Sequence, residues 1–200
     1  NKSVLFKDKI NWKYPNANGF EPHQDAQVWE YLYPKIKSFI SLAISVDKTN
    51  KKNGCLEVVK GKHFEGLLGN NKSAIDKKTV KKMKWDSIYT KPGDLIFFDS
   101  YTPHRSGKNL SKKPRVMIYL TYNAKKDGNL KKEYFANKRK SFPPNIERKK
   151  GKKYKYLITV TSYPLWKNKP HHRNPHPAYL PAPASSALDQ HAPRSRPSIT

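Results

Sequence analysis

The stretch Lys37-Ser38-Phe39-Ile40-Ser41-Leu42-Ala43-Ile44-Ser45-Val46 decides the fold class, because its residues alternate with the two-residue period of a β-strand. The even-numbered positions from 40 to 46 are all aliphatic and form one apolar face. The odd-numbered positions from 39 to 45 hold a phenylalanine, an alanine and serines, and they form the other face. The stretch therefore predicts a strand with one strongly apolar face.

The rest of the chain predicts further short strands separated by turns. Runs rich in β-branched and aromatic residues lie at 56–59, 87–89, 94–98 and 115–122. Turn signals stand between them at Asn18-Gly19, Asn53-Gly54, Pro92-Gly93 and Ser106-Gly107. Helix is expected in two places only: residues 64–84, as a loop or short helix over one end of a barrel, and residues 130–140, as a helical turn on the outside. This pattern predicts an all-β sandwich or barrel, and a double-sheet jelly roll is one such solution.

The composition divides the chain into two parts near residue 164. Residues 1–163 are long enough for one domain with a hydrophobic core, and because a strand-like run begins almost at Asn1, we expect this domain to be truncated at its N-terminus. From Pro170 to Thr200 there is no lysine, and there are seven prolines. Such a stretch cannot bury enough apolar surface to order itself, so residues 164–200 are expected to be a disordered or non-native tail.

The charge and the cysteine count narrow the class of protein. The formal net charge is +26 and the pI is near 10.0, which raises the alternative of a basic β-barrel that binds nucleic acid or another polyanion without catalysis. The lysines are spread along the chain rather than clustered, so the sequence does not favour nucleic acid as a partner. The single Cys55 excludes an internal disulfide and fits a cytoplasmic protein. No apolar run reaches the roughly 18 residues of a membrane span.

A metal site is suggested by His23-Gln24-Asp25 together with His104. In an extended segment, residues 23 and 25 point to the same side and offer an imidazole and a carboxylate. Iron oxygenases hold their metal with two histidines and one carboxylate on one face, which leaves positions open for substrate chemistry. His-x-Asp alone is a weak signal. It gains weight from His104, which follows the strand at 94–98 and which a jelly roll would bring close to His23.

Arg115 opens an apolar strand eleven residues after His104. A buried guanidinium needs an anionic partner, and a bound dicarboxylate would supply one through two parallel hydrogen bonds. The alternative is a structural ion pair with Asp94, Asp99 or Glu57.

These residues give the chain a resemblance to the phytanoyl-CoA dioxygenase family of iron(II)- and 2-oxoglutarate-dependent oxygenases. The matching pieces are His23-Gln24-Asp25, the segment 53–63, the segment from Gly93-Asp94 through His104 to Asn109, and Arg115. The resemblance implies a double-stranded β-helix (jelly roll) with a few peripheral short helices. It also implies that His23, Asp25 and His104 bind Fe(II) and that Arg115 and Ser106 bind the distal carboxylate of 2-oxoglutarate, with O2 as the oxidant.

The resemblance further predicts the type of reaction. Family members that halogenate lack the carboxylate ligand, and because Asp25 is present, hydroxylation of a small, anionic organic substrate is expected, with release of succinate and carbon dioxide. Gln24 and Trp29 either line the substrate pocket or pack on the sheet. Lys13 either reaches the co-substrate or an anionic substrate or is solvated like the many other lysines, and the solvated state is expected. A truncated oxygenase that binds metal without turnover remains a third alternative.

Overall fold

The computed structural model of the protein describes residues 2–36, 38–69, 75–141, 143–152 and 154. These residues form eight strands: β1 Ser3–Lys13, β2 Phe20–His23, β3 Phe39–Ser45, β4 Leu56–Val58, β5 Asp86–Ile88, β6 Leu95–Asp99, β7 His104–Ser106 and β8 Arg115–Ala124. The helices are α1 Ala26–Leu32, α2 Lys77–Lys81 and α3 Lys131–Ser141, and short 3-10 turns lie at Lys62–Glu65, Lys125–Asp127 and Asn145–Glu147.

The strands form two antiparallel sheets of four strands each. The first sheet has the order β1-β8-β3-β6 and the second has the order β2-β7-β4-β5. Because the chain passes back and forth between the sheets, the architecture is a double-stranded β-helix, and the predicted fold class is confirmed. Apolar side chains from both sheets meet between them, namely Ala43, Leu56, Val58, Phe98 and Met117.

The first sheet has an unusual distribution of polarity. On β3 the odd positions are the buried ones, including Ser41 and Ser45 at 2% and 1% exposure, whereas Ile40 is 39% exposed. The apolar face found in the sequence is therefore the outer face of the barrel. The serines are accommodated inside because their hydroxyls pair with those of Thr121 at 3.1 Å and Thr90 at 2.5 Å.

A second apolar region, the aromatic cluster, packs α1 and α3 against β1 and β3. Its buried members are Phe6, Val28, Trp29, Tyr33, Ile36, Phe39 and Tyr134. Phe6 is fully buried at its centre, with its ring centroid 5.5 Å from that of Trp29 and 4.7 Å from that of Tyr134. The cluster fixes α1, and with it the segment that precedes α1, against the first sheet.

The predicted helices are partly right. Helix α3 matches the helical turn expected at 130–140, and α2 lies within 64–84. Helix α1 was not expected, because its seven residues give too short a window for the helical period to be visible. The predicted tail at 164–200 lies outside the described residues. In the part of the chain that the structure describes, no helix is both long and apolar enough to cross a membrane.

Candidate metal centre

His23, Asp25 and His104 come together where β2, β7 and α1 meet. His23 ends β2 and pairs in register with His104, which begins β7, and their ring centroids are 4.1 Å apart. Asp25 is the N-cap residue of α1, but its side chain makes no capping hydrogen bond, so the carboxylate is left for another role. The extended geometry expected through residue 25 is wrong, because β2 stops at His23. One ligand atom from each of the three residues nevertheless lies within 4.8 Å of the others.

Backbone carbonyls orient both imidazole rings. The Nδ1 atom of His23 lies 2.6 Å from the carbonyl oxygen of Glu21, and the Nδ1 atom of His104 lies 2.9 Å from that of Thr102. A carbonyl oxygen can only accept a hydrogen bond, so each Nδ1 carries the proton and donates it. The Nε2 atoms are therefore left with free lone pairs, which is the arrangement that metal-binding histidines show.

The protonation states of His23 and Asp25 at neutral pH also suit metal binding. Burial, with a further contribution from the neighbouring His104, lowers the pKa of His23 to about 3, so its imidazole is neutral. Burial alone would raise the pKa of Asp25, but Lys7 and, to a lesser extent, both histidines outweigh it and hold the pKa below its usual value. A neutral imidazole and an ionised carboxylate at one point match the donor set that iron(II) oxygenases use.

Arg115 and Lys13 form a second buried group of charges, on neighbouring strands. They are cross-strand partners in β8 and β1, and they are 1% and 3% exposed. Nη2 of Arg115 donates to the carbonyl oxygen of Gly54 at 2.7 Å, while its Nε and Nη1 atoms are buried and have no hydrogen-bond partner among the described residues. The predicted alternative of an ion pair with Asp94, Asp99 or Glu57 is not found in the described part of the chain, where Glu57 pairs with Arg105 at 2.6 Å.

Lys13 is buried, so the expectation that it is solvated is wrong, and the alternative that it reaches the co-substrate stays open. Its Nζ donates to Ser106 Oγ at 2.8 Å, to the carbonyl oxygen of Gly107 at 2.7 Å and to that of Gly54 at 3.2 Å. Burial and the nearby Arg115 lower the pKa of Lys13 to about 7. Two adjacent cations are thus buried against neutral carbonyls, with no carboxylate paired to them among the described residues, and this is the arrangement that an anion receptor needs.

Ser106 stands between this receptor and the metal-binding strands. Its Oγ accepts hydrogen bonds from Lys13 Nζ and, at 3.2 Å, from the backbone N–H of Phe20. The hydroxyl proton of Ser106 therefore remains available to donate to a bound anion. The structure thus brings Ser106, Arg115 and Lys13 to one place, close to the segment that carries His23.

Two glycines make this close packing possible. A Cβ atom on Gly19 would collide with the backbone carbonyl of Ser106, and a Cβ atom on Gly54 would collide with that of Gly107. Gly54 also has a φ of 70°, a backbone conformation that residues with a side chain rarely adopt. Both glycines hold the loop that presents Ser106.

Gln24 and Trp29, the suggested substrate contacts, have structural partners. The side chain of Gln24 is fully buried and hydrogen-bonds to the backbone of Gly66, Leu68 and Tyr101. Trp29 is 1% exposed and belongs to the aromatic cluster. These contacts favour the packing alternative for both residues.

Comparison with known proteins gives a consistent set of relatives. A family model for phytanoyl-CoA dioxygenase matches residues 2–117. The chain is 42% identical over 141 residues to the methylphosphonate hydroxylase of Gimesia maris, which is 70% of this chain and 53% of that protein. It is 41% identical over 154 residues to the 2-aminoethylphosphonate dioxygenase of an uncultured bacterium, HF130_AEPn_1, which is 76% of this chain and 58% of that protein. The chain therefore spans somewhat more than half the length of these relatives.

Solved structures show the same fold. The crystal structure of EctD from S. alaskensis with 2-oxoglutarate and 5-hydroxyectoine is similar to this chain with a TM-score of 0.58 and 23% identity. The match covers 64% of this chain and 46% of that one. At this level of identity the likeness concerns the fold.

Proposed function

Since the chain belongs to the phytanoyl-CoA dioxygenase family, we propose that it is an iron(II)- and 2-oxoglutarate-dependent dioxygenase that hydroxylates a small, anionic organic substrate. Iron(II) would here activate O2 with electrons from 2-oxoglutarate, which is oxidised to succinate and carbon dioxide while one oxygen atom enters a C–H bond. The observation that carries the proposal is the group formed by His23, Asp25 and His104, with ligand atoms within 4.8 Å of one another and both Nδ1 atoms already committed to carbonyls.

In this proposal His23, Asp25 and His104 hold the metal on one side. The other side stays open to co-substrate, O2 and substrate. The carbonyls of Glu21 and Thr102 keep the two imidazole rings from rotating, which aims Nε2 at the metal. Asp25 keeps the carboxylate that a halogenating enzyme would lack, which supports hydroxylation.

Arg115, Ser106 and Lys13 bind the distal carboxylate of 2-oxoglutarate. The free Nε and Nη1 atoms of Arg115 and the free hydroxyl proton of Ser106 are the donors that such a carboxylate needs. Lys13 supplies a second positive charge next to them. Binding of the carboxylate would satisfy polar groups that are otherwise buried without partners, so the co-substrate stabilises its own site.

The substrate class follows from charge and from the named relatives. The buried positive groups outnumber the single ligand carboxylate of Asp25, which favours an anion, and two relatives are named for phosphonates. We therefore propose a small phosphonate or carboxylate as the substrate. We also propose a cytoplasmic location, which the single unpaired thiol of Cys55 supports.

The alternative, a basic barrel that binds polyanions without catalysis, explains none of the oriented histidines. It predicts salt-sensitive binding of nucleic acid by a protein that holds no iron. The relatives are named hydroxylases and dioxygenases, which does not favour this alternative.

The test is an assay of the purified chain with ferrous iron, ascorbate, 2-oxoglutarate and either methylphosphonate or 2-aminoethylphosphonate, with succinate as the readout. We expect formation of succinate that requires iron and increases with substrate. Failure to bind Fe(II) in anaerobic equilibrium dialysis, together with no succinate from any anionic substrate, would reject the proposed function. Iron binding without succinate would instead identify the chain as a metal-binding oxygenase domain without turnover.

A further inference from the structure

We propose that Lys9 binds the anionic group of the substrate beside the metal centre. This inference rests on the proposed function and adds the side chain that selects an oxyanion. Three features support it: the polar inner face of β1, the position of Lys9 along that strand, and the contacts of its ammonium group.

The inner face of β1 is polar, which is the reverse of an ordinary barrel strand. After an irregularity in strand pairing between Leu5 and Lys7, the odd positions share the inner face, where Asn11 and Lys13 are buried and Lys9 is half-buried. Asn11 and Lys13 on this face are 8% and 3% exposed, whereas Ile10 on the outer face is 59% exposed. Exposed aliphatic side chains and lysines inside a barrel both make folding less favourable. We therefore infer that the inward-facing lysines serve to bind a ligand.

Lys9 lies at a different level of the barrel from Lys13. In the pairing of β1 with β8, Lys13 is opposite Arg115 and Lys9 is opposite Tyr119. Four residues of strand separate the two lysines, or about 13 Å along the backbone. Asp25 acts electrostatically on Lys9 but is not among the charges acting on Lys13. Both ammonium groups lie over the ring of Phe20 on β2, the strand that ends at His23, with Nζ at 4.5 Å for Lys9 and 5.9 Å for Lys13. Lys9 therefore borders the metal-binding strand, and it is the one of the two lysines that also acts on Asp25.

Among the residues that the structure describes, the ammonium group of Lys9 contacts an aromatic ring and forms no ion pair with an acidic side chain. Among the described residues, no hydrogen bond or ion pair involves its Nζ, which lies 4.5 Å from the ring centroid of Phe20. Lys7, rather than Lys9, is the lysine that acts most strongly on Asp25. Lys9 is therefore not needed to neutralise the ligand carboxylate, and an incoming anion would be its partner.

The charge balance leaves room for such an anion. Within the residues that the structure describes, Lys9, Lys13 and Arg115 face a site in which Asp25 is the one carboxylate of the metal-binding group. A divalent metal and the dianion 2-oxoglutarate cancel each other, so a positive excess remains after both have bound. A lysine ammonium is a compact charge with three donors, which suits a phosphonate or carboxylate group.

The experiment measures binding apart from turnover. Methylphosphonate is titrated into the chain loaded with zinc(II) and 2-oxoglutarate, and its 31P resonance reports binding. The variants are Lys9→Met, Lys9→Arg and, as a control of equal charge change, Lys91→Met on the exposed surface. We expect Lys9→Met to weaken methylphosphonate binding about tenfold or more, because a charge-assisted hydrogen bond is lost. Lys9→Arg should restore most of the affinity, and Lys91→Met should bind like the unaltered chain.

Acetate and 2-aminoethylphosphonate, titrated in the same way, show whether the group bound is any oxyanion or a phosphonate in particular. The affinity of Lys9→Met for 2-oxoglutarate should stay within twofold of the original value. Unchanged methylphosphonate affinity in Lys9→Met, equal loss in Lys91→Met, or no methylphosphonate binding by the unaltered chain would overturn the inference. A failure of the proposed function is distinct, since it appears as absent iron binding and absent succinate in the unaltered chain.

Discussion

The aromatic cluster and the metal centre lie next to each other along α1, yet they contribute to the protein in opposite ways. In the cluster, Phe6 and Trp29 bury large apolar rings against one another, which favours folding. Beside the metal centre, Arg115 and Lys13 are buried, and no carboxylate forms an ion pair with them in the described part of the chain, which opposes folding. The aromatic cluster therefore stabilises the fold, whereas the buried cations destabilise the ligand-free protein and are positioned to bind an anion. Substitutions in the two regions should therefore separate stability from binding.

The largest effect is expected for His104→Ala in the metal centre. Loss of one of three metal ligands should reduce Fe(II) affinity and succinate formation by at least about 100-fold, because even groups that only orient ligands are worth 10- to 100-fold. The melting temperature of the metal-free protein should change little. His63→Ala, in the turn Lys62–Glu65, is the matched control and should keep iron affinity. Equal effects of both changes would remove His104 from the metal site.

In the aromatic cluster, Phe6→Ala should cost about 3 to 5 kcal/mol of unfolding free energy, because a fully buried ring is replaced by a cavity. Chemical denaturation measures the change. Phe64→Ala removes a ring that is 84% exposed and should shift the unfolding free energy by less than about 0.5 kcal/mol. If Phe6→Ala were as mild as Phe64→Ala, the cluster would not be the source of stability.

Arg115→Met should produce the opposite pattern. Affinity for 2-oxoglutarate should fall by about 100-fold, because two charge-assisted hydrogen bonds are lost. Stability without ligand should stay the same or increase, since two unpartnered guanidinium nitrogens disappear and the Gly54 carbonyl keeps its bond from Lys13. Calorimetric titration and thermal unfolding measure the two quantities. A large loss of stability with unchanged affinity would assign Arg115 a structural role.

The final test concerns the pH dependence of stability. The pKa of Lys13 is about 7 in the folded protein and near 10.5 when unfolded, so between these values the unfolded chain binds more protons. Stability of the ligand-free protein should therefore rise from pH 7 to pH 10.5, by up to about 1.4 kcal/mol per pH unit from this group. Lys9, whose pKa is also lowered to about 7, adds to the same slope. Lys13→Met should flatten the slope, and Lys91→Met should leave it; an unchanged slope in Lys13→Met would contradict the assignment.

Much of the fold was predictable because strand alternation is a local signal. Residues 37–46 and 115–122 alternate clearly, and β3 and β8 lie there. Which face of β3 points inward was not predictable, since the sequence shows that one face is apolar but not that hydroxyl partners await Ser41 and Ser45 on the other. That information lies elsewhere in the chain, on β8 for Thr121 and just after β5 for Thr90.

The candidate site, like the fold, could be predicted only in part from the sequence. His23, Asp25, His104 and Arg115 were found from motif and order, and the structure brings the first three together. Lys13 was named only as the less favoured alternative, because one buried lysine among many surface lysines has no distinguishing local pattern. The alternation of Lys7, Lys9, Asn11 and Lys13 opposite Ile10 and Trp12 was the available signal, but it reads naturally as a strand with its polar face outward.

The packing of Gly19 and Gly54 against the loop at Ser106 and Gly107 has a consequence for sequence variation. Neither position binds a ligand, yet at both of them any side chain would displace the loop that presents Ser106. In a saturation library selected for 2-oxoglutarate binding, each of these two turns should tolerate a single amino acid, although the Lys108 position next to them, which is exposed, should accept most of the twenty. The positions that accept no substitution in the library would then mark the side of the co-substrate pocket that faces away from the ligand.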